Sequence, residues 1–230
     1  MLVKGLGEIK AVGFDIDGTL YRPYHLHARM AFHFFRYNQF FLKYGQVRSL
    51  MHKMERLSDF RKKQAEVLAA SINCSVEDCE ERLSRIVYDG LGKFFPSIPA
   101  CRYVKETFEV FHNVGLKIAL LSDFPPEQKG ELWGIKPYCD VILGSEEIGA
   151  LKPSSYPFMV MAEKLNVKAE NILYVGNSVK YDVRGAKNAG MKSAFLEPFW
   201  RTLFHLPCKE ADISFSNYRQ LQKIVLQYTI

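Results

Sequence analysis

The sequence predicts an α/β protein, a parallel sheet flanked by helices, with a helical insertion after its first strand. Three observations predict it. Short apolar runs alternate with amphipathic stretches from residue 96 to the end, the pattern of repeated βαβ units. A single apolar run, "AVGFDI", stands alone before a long segment, about 25–88, with helical patterning and no strand. Of the 230 residues, 48% are hydrophobic, enough for a substantial core in one domain with a modest insertion.

The elements follow in order. Residues 11–16 read as a buried strand. "ARMAFHFFRYNQFFLKY" then places Met30, Phe34, Tyr37, Phe41 and Tyr44 at helical spacing, and further helices are expected over about 49–71 and 76–89. Ser75 with Asp78 three residues on marks a helix start. After "FFPSIP", the stretch "CRYVKETFEVFHNVG" is a helix stopped at Gly115, and "KIALLS" is a strand. "CDVILGS" is the next strand and "PSSYPFMVMAEKLN" a helix with Pro153 near its start. "NILYVG" is a strand, "SVKYDVRGAKNAG" a helix ending at Gly190, and "KSAFL" a strand. "ADISFS" is a last weak strand and "NYRQLQKIVLQY" a closing helix. The expected organisation is an α/β core from residues 1–20 and 96–230, with a helical insertion over 21–95.

Charge and composition narrow the function classes. The net charge is +6, and the segment 21–95 holds 13 Lys and Arg against 8 Asp and Glu. The excess therefore sits almost wholly in the insertion. A solvated helical surface is the plain reading, and attraction of an anionic substrate or RNA the sharper one. No apolar run approaches the roughly 20 residues that span a bilayer, and "MLVKGLGEIK" lacks a signal-peptide pattern. A cytoplasmic protein with five scattered, reduced cysteines is expected. Neither a membrane nor a nucleic acid is an expected partner, and oligomeric state is open.

In an open α/β sheet, ligands bind beyond the carboxyl ends of the strands. The residues there are informative. The first strand runs into Asp15 and Asp17 in "DIDGTL", and "KIALLS" ends in Ser122. Lys152 follows "VILGSEEIGA", and "NILYVGNSVKYD" brings Asn177, Ser178 and Asp182. Two crowded carboxylates are unfavourable unless a cation neutralises them. A hard divalent ion such as Mg2+ does so with oxygen ligands. An aspartate can also attack phosphorus as a nucleophile, given positive charge and donors for the phosphoryl oxygens. Lys152 and Ser122 supply those, and Asp17 is placed to protonate the leaving oxygen and then activate water.

These residues resemble the haloacid dehalogenase-like (HAD) superfamily. "DIDGTL" is similar to its first motif, Ser122 to the second, Lys152 in "ALKP" to the third and "GNSVKYDVRGAKNAG" to the fourth. All four occur in family order across the α/β core. The resemblance implies a Rossmann-like core, a helical cap inserted after the first strand, and Mg2+-dependent hydrolysis of a small phosphorylated metabolite through an aspartyl-phosphate. It implies that Asp15 is nucleophile and metal ligand. Asp17 would be the general acid/base, lending its backbone carbonyl to the metal, and Ser122 and Lys152 would bind phosphate. The family's fourth motif begins Gly-Asp, whereas here Asn177 follows Gly176. Asn177 and Asp182 therefore both stand as candidate metal ligands. A metal-free dehalogenase is the rival within the family, and Asp17, which that branch does not need, favours the phosphatase. A binding or regulatory protein working through the basic, aromatic insertion is the rival outside it.

Other residues have plainer readings. Asp123 is expected to serve a turn or cap, Ser178 to cap its helix, and His25 and His27 to lie at the hinge of the insertion. The aromatic stretch 32–44 is expected to form the packed core of the insertion, with a membrane-facing, dimeric or lid surface as the alternative. The run "RKKQ" at 61–64 is expected to be solvated.

Overall fold

The computed structural model describes residues 2, 3 and 5–229. Its strands are β1 (Leu2–Val3), β2 (Ala11–Phe14), β3 (Lys117–Ser122), β4 (Val141–Gly144), β5 (Ile172–Gly176), β6 (Lys192–Leu196) and β7 (Ile213–Phe215). They form one sheet in the order β1-β7-β6-β5-β2-β3-β4. Strands β2 to β7 pair in parallel, and β1 alone is antiparallel, on the β7 edge. The sequence pattern gives no sign of β1, which is only two residues long. Burial explains the rest. All four residues of β2 and all five of β5 are buried, so side chains of both parities are apolar, as in a sheet covered on both faces.

The helices that cover it are α6 (Val104–Asn113), α8 (Ser155–Leu165), α9 (Arg184–Asn188) and α11 (Tyr218–Val225), joined by a short α7 (Ser145–Ile148) and α10 (Phe199–Leu203). Phe108 and Phe111 of α6 pack on Phe14 of β2 from one face. Phe158 and Met161 of α8 join Tyr174 of β5 in a separate buried cluster. The caps are those the side chains predict: Asn217 starts α11 by accepting from the Gln220 N–H, and Ser178 accepts from the Tyr181 N–H ahead of α9.

Between β2 and β3 the chain is helical: α1 (Pro23–Arg36), α2 (Asn38–Met51), α3 (Phe60–Ile72) and α4 (Val76–Arg82), the last running through a π-helical turn, Leu83–Tyr88, into α5 (Asp89–Gly92). Ser75 caps α4 as expected. This segment has its own buried cluster, around Phe40, Tyr44, Met51, Phe60, Leu68 and Ile86.

Three expectations are corrected. The helix predicted over 49–71 is two pieces, because residues 52–59 leave the helical path and Asp59 starts α3 afresh by accepting from the Lys62 N–H. The aromatic stretch 32–44 is not one packed face. It breaks at Tyr37, after which Phe40, Phe41 and Tyr44 are buried while Phe32 and Phe35 of α1 are open to solvent. The run 61–64 is solvated only at its start, since Gln64 is buried and accepts from Arg48.

Candidate active site

The six residues read from the strand ends meet at the carboxyl edge of the sheet in two linked clusters. Lys152 is the centre of the first. Its Nζ lies 2.7 Å from Asp15 Oδ1, 2.7 Å from Asp182 Oδ1 and 3.2 Å from the Tyr174 hydroxyl. Asp17 is the centre of the second. It accepts from Ser122 Oγ at 2.8 Å and from the Tyr21 hydroxyl at 2.9 Å, and pairs with Lys129 Nζ at 3.1 Å. Asp123 joins the two, because its carboxylate accepts from the Lys152 backbone N–H. It thereby ties two loops together, where the sequence suggests a turn or a helix cap.

Local backbone geometry places these groups. After β2 the chain turns tightly, with the Thr19 and Leu20 N–H groups returning to the Ile16 carbonyl. Gly18 sits at φ +86°, where a side chain would also run into the Asn177 amide. At the end of β5, a Cβ on Gly176 would collide with the Asp182 side chain. The glycine therefore lets Asp182 fold back, where its Oδ2 accepts from the Asn177 and Ser178 N–H groups. Lys152 is fixed from behind as well, its carbonyl bonded to His52 Nδ1 and the Tyr174 hydroxyl donating onward to the Leu121 carbonyl.

Electrostatics separate the two aspartates. Burial, reinforced by Asp182 and Asp17, pushes the Asp15 carboxyl up to about 7 against the pull of Lys152. Burial also works on Asp17, but Lys129, with the hydroxyls of Ser122 and Tyr21, outweighs it and holds the carboxyl below its usual range. Burial alone would drive Lys152 toward the neutral amine. Asp15 and Asp182 overturn that and hold the ammonium well above its ordinary pKa. With Asp123 counted, four carboxyl groups thus surround two buried ammonium groups, so acidic groups outnumber cations before any ligand arrives.

The donor set fits a hard cation, with a limit. Thr19 Oγ donates to Asp15 Oδ2 at 2.7 Å and lies 3.4 Å from Asn177 Oδ1, so a carboxylate oxygen and an amide oxygen converge on one spot. Such oxygens suit magnesium, which asks for only one or two carboxylates. Both Asp182 oxygens are committed to Lys152 and to backbone amides. Among the described residues no three His, Cys, Asp or Glu side chains group as a metal cluster.

Sequence reasoning missed Lys129, Tyr21 and Thr19. Thr19 and Tyr21 stand in or beside "DIDGTL" and signal themselves only through that proximity. Lys129, in "PPEQKG", has no local signal. His25 and His27 lie on the first turns of α1, where His25 stacks on Tyr24. A cavity of about 740 Å³ between the helical segment and the core is lined by residues such as Arg61, Tyr88, Lys93 and Gln128, and by none of the six. The clusters themselves are closed, and Asp17 and Asn177 carry most of their remaining exposure.

Comparison with known proteins gives the family and the fold. The family model of haloacid dehalogenase-like hydrolases matches residues 9–190. Pyrophosphatase PpaX of Halalkalibacterium halodurans is 28% identical over 190 residues, 81% of this chain and 83% of that protein. Among solved structures, a HAD phosphatase from Thermococcus onnurineus superposes with a TM-score of 0.63 at 22% identity, covering 94% of this chain and 98% of its own. A 2-haloacid dehalogenase from Pseudomonas syringae pv. Tomato does so at 0.64 and 19%, covering 96% and 100%.

Proposed function

The chain belongs to the haloacid dehalogenase-like hydrolases, and we propose that it is a magnesium-dependent phosphomonoesterase of the cytoplasm, acting on a small phosphorylated metabolite through an aspartyl-phosphate. The observation that carries this is the Asp15–Lys152–Asp182 arrangement at the sheet's carboxyl edge, with two 2.7 Å contacts to one buried ammonium. Phosphatase relatives such as the pyrophosphatase support it.

Asp15 attacks phosphorus through a carboxylate oxygen, and the bond to the leaving oxygen breaks. Lys152 and Ser122 take the phosphoryl oxygens, and Asp182 holds Lys152 in place. A bound Mg2+ would be held by Asp15, the Asp17 carbonyl and Asn177, and supplies positive charge against the phosphoryl group. Asp17 gives the leaving oxygen its proton, then takes one from the water that hydrolyses the acyl-phosphate. Lys129, Ser122 and Tyr21 hold its carboxylate in one orientation for the first task and, by favouring its ionised form, suit it to the second. Residues 21–95 act as a cap that closes over the site and chooses the substrate, with 1–20 and 96–230 as the catalytic core. The dehalogenase reading has support only from fold neighbours, and it leaves Asp17 and its three donors without a role.

Asp15→Asn tests the reading. Turnover of a generic phosphate monoester should be lost while the variant stays folded. Full turnover in that variant would remove Asp15 as the nucleophile.

A further inference from the structure

We propose that two exposed aromatic segments, α1 and α10, form a docking surface for an anionic phospholipid bilayer. This rests on the surface alone and not on the proposed reaction. Helix α1 has no buried residue, and three of its aromatic side chains face outward: Phe32 and Phe35 are 76% and 75% exposed, and Tyr24 is 63% exposed. Helix α10 repeats the pattern on a separate stretch of chain, with Phe199 at 78%, Trp200 at 51% and, just beyond the helix, Phe204 at 65%. Both segments rise from the same edge of the sheet. Helix α1 follows the carboxyl end of β2, α10 follows that of β6, and only β5 lies between these parallel strands, whose ends are therefore roughly 10 Å apart at two strand spacings.

Charge identifies the occupant. From residue 21 to 54 the chain holds no Asp or Glu and, leaving aside Arg48, which is buried against Glu146, five Lys and Arg. From 198 to 209 it again holds no acidic residue, and Arg201 stacks on Trp200. Exposed aromatic groups interleaved with arginine and free of carboxylates match an anionic lipid surface, whose headgroups pair with the cations while the rings enter the acyl boundary. A second copy of this chain is a poorer match. A two-fold contact would set this basic face against itself.

Sedimentation with vesicles tests this. The intact chain should co-sediment with phosphatidylglycerol vesicles, stay in solution with phosphatidylcholine vesicles, and be released by high salt. F32D/F35D and F199D/W200D should each weaken binding at least about tenfold, and their thermal midpoints should match the parent because the positions are exposed. Four results would overturn the proposal. These are no binding to phosphatidylglycerol, binding that survives both pairs of substitutions, a dimer in light scattering that the same substitutions dissolve, or an RNA oligonucleotide bound through these residues while vesicles are not.

Discussion

Lys129 Nζ lies 3.1 Å from Asp17 Oδ2, and its side chain is shut off from solvent while the aspartate's is 29% exposed. A buried lysine is expensive unless paired, and this one has rings on two sides, Phe95 and Phe124. Ser122 Oγ is 3.4 Å from the same ammonium. Lys129 therefore fixes which way the Asp17 carboxylate points. Lys129→Met should lower kcat by roughly 10- to 100-fold, at most the lower end of what general acid–base catalysis supplies because Asp17 itself remains, and leave KM nearly unchanged. The loss should be larger for alkyl than for aryl phosphate esters, whose leaving oxygens need less protonation. Lys129→Arg should recover part of it. Steady-state kinetics on an ester pair checks this, and equal losses on both would contradict the assignment.

Asn177 offers an amide oxygen where the family's fourth motif carries a carboxylate. The substitution keeps an oxygen ligand and removes one charge, so magnesium affinity should be weak for the fold. Asn177→Asp should lower the magnesium concentration for half-maximal activity on the order of tenfold. It should also enlarge the rise in thermal midpoint that magnesium produces, because a ligand bound to the folded state stabilises it by mass action. An unchanged midpoint shift would place the ion elsewhere.

The two Asp contacts show what the sequence carried and where it fell silent. Asp15, Ser122, Lys152 and Asn177 were legible because each stands at a strand end, and a parallel sheet gathers strand ends. The crowding of Asp15 and Asp17 implies neutralising positive charge without saying where it comes from. The structure gives each carboxylate its own lysine, and Lys129 was invisible because it ends a single 3-10 turn, Pro126–Lys129, too short for a periodic signal, and reaches the site only through tertiary packing. Asp182 was legible as a member of the site, but its folding back onto Lys152 and two backbone amides depends on Gly176, a relation no spacing rule contains. Likewise, helical spacing from Met30 to Tyr44 revealed helix but not which face is covered. Burial of Phe40 and exposure of Phe35 are decided by where α3 and α4 pack.

Arg48 of α2 and Glu146 of α7 form a buried ion pair, 2.5 Å apart, between the helical segment and the core. Arg48 also donates to Gln64 and to the Asp123 carbonyl, and Glu146 accepts from Tyr88. Arg48→Met leaves the buried Glu146 carboxylate with only the Tyr88 hydroxyl and, at 4.0 Å, the half-exposed Arg61, and should cost about 3 kcal/mol. Arg48→Met with Glu146→Leu removes both charges and should recover a large part of it, since an apolar replacement for a buried pair is often neutral. Denaturant titration of parent, single and double variants gives the coupling directly. A double variant no more stable than the single would mean that the carboxylate is not the source of the cost.

His52 makes the protein acid-sensitive through a contact behind the site. Its ring stacks on Tyr181 at 4.5 Å between centroids, and its Nδ1 donates to the Lys152 carbonyl. Burial lowers its pKa below the ordinary 6.5, against the opposing pull of Asp123 and that carbonyl. The folded state therefore binds fewer protons than the unfolded chain as pH drops through 6.5, so His52 supports folding above that pH and its contribution fades as pH falls through the lowered folded value. Asp15 acts in the opposite sense, because its raised carboxyl favours the folded state on the acid side of about 7. The two trends overlap, and the parent's curve alone cannot separate them. His52→Asn keeps an N–H for the Lys152 carbonyl and removes the titration. The stability gap between parent and variant, from denaturant midpoints, should narrow or invert in the variant's favour as pH is lowered from 7 to 5. A gap that stays constant across that range would show that His52 takes up its proton as readily in the folded chain as in the unfolded one.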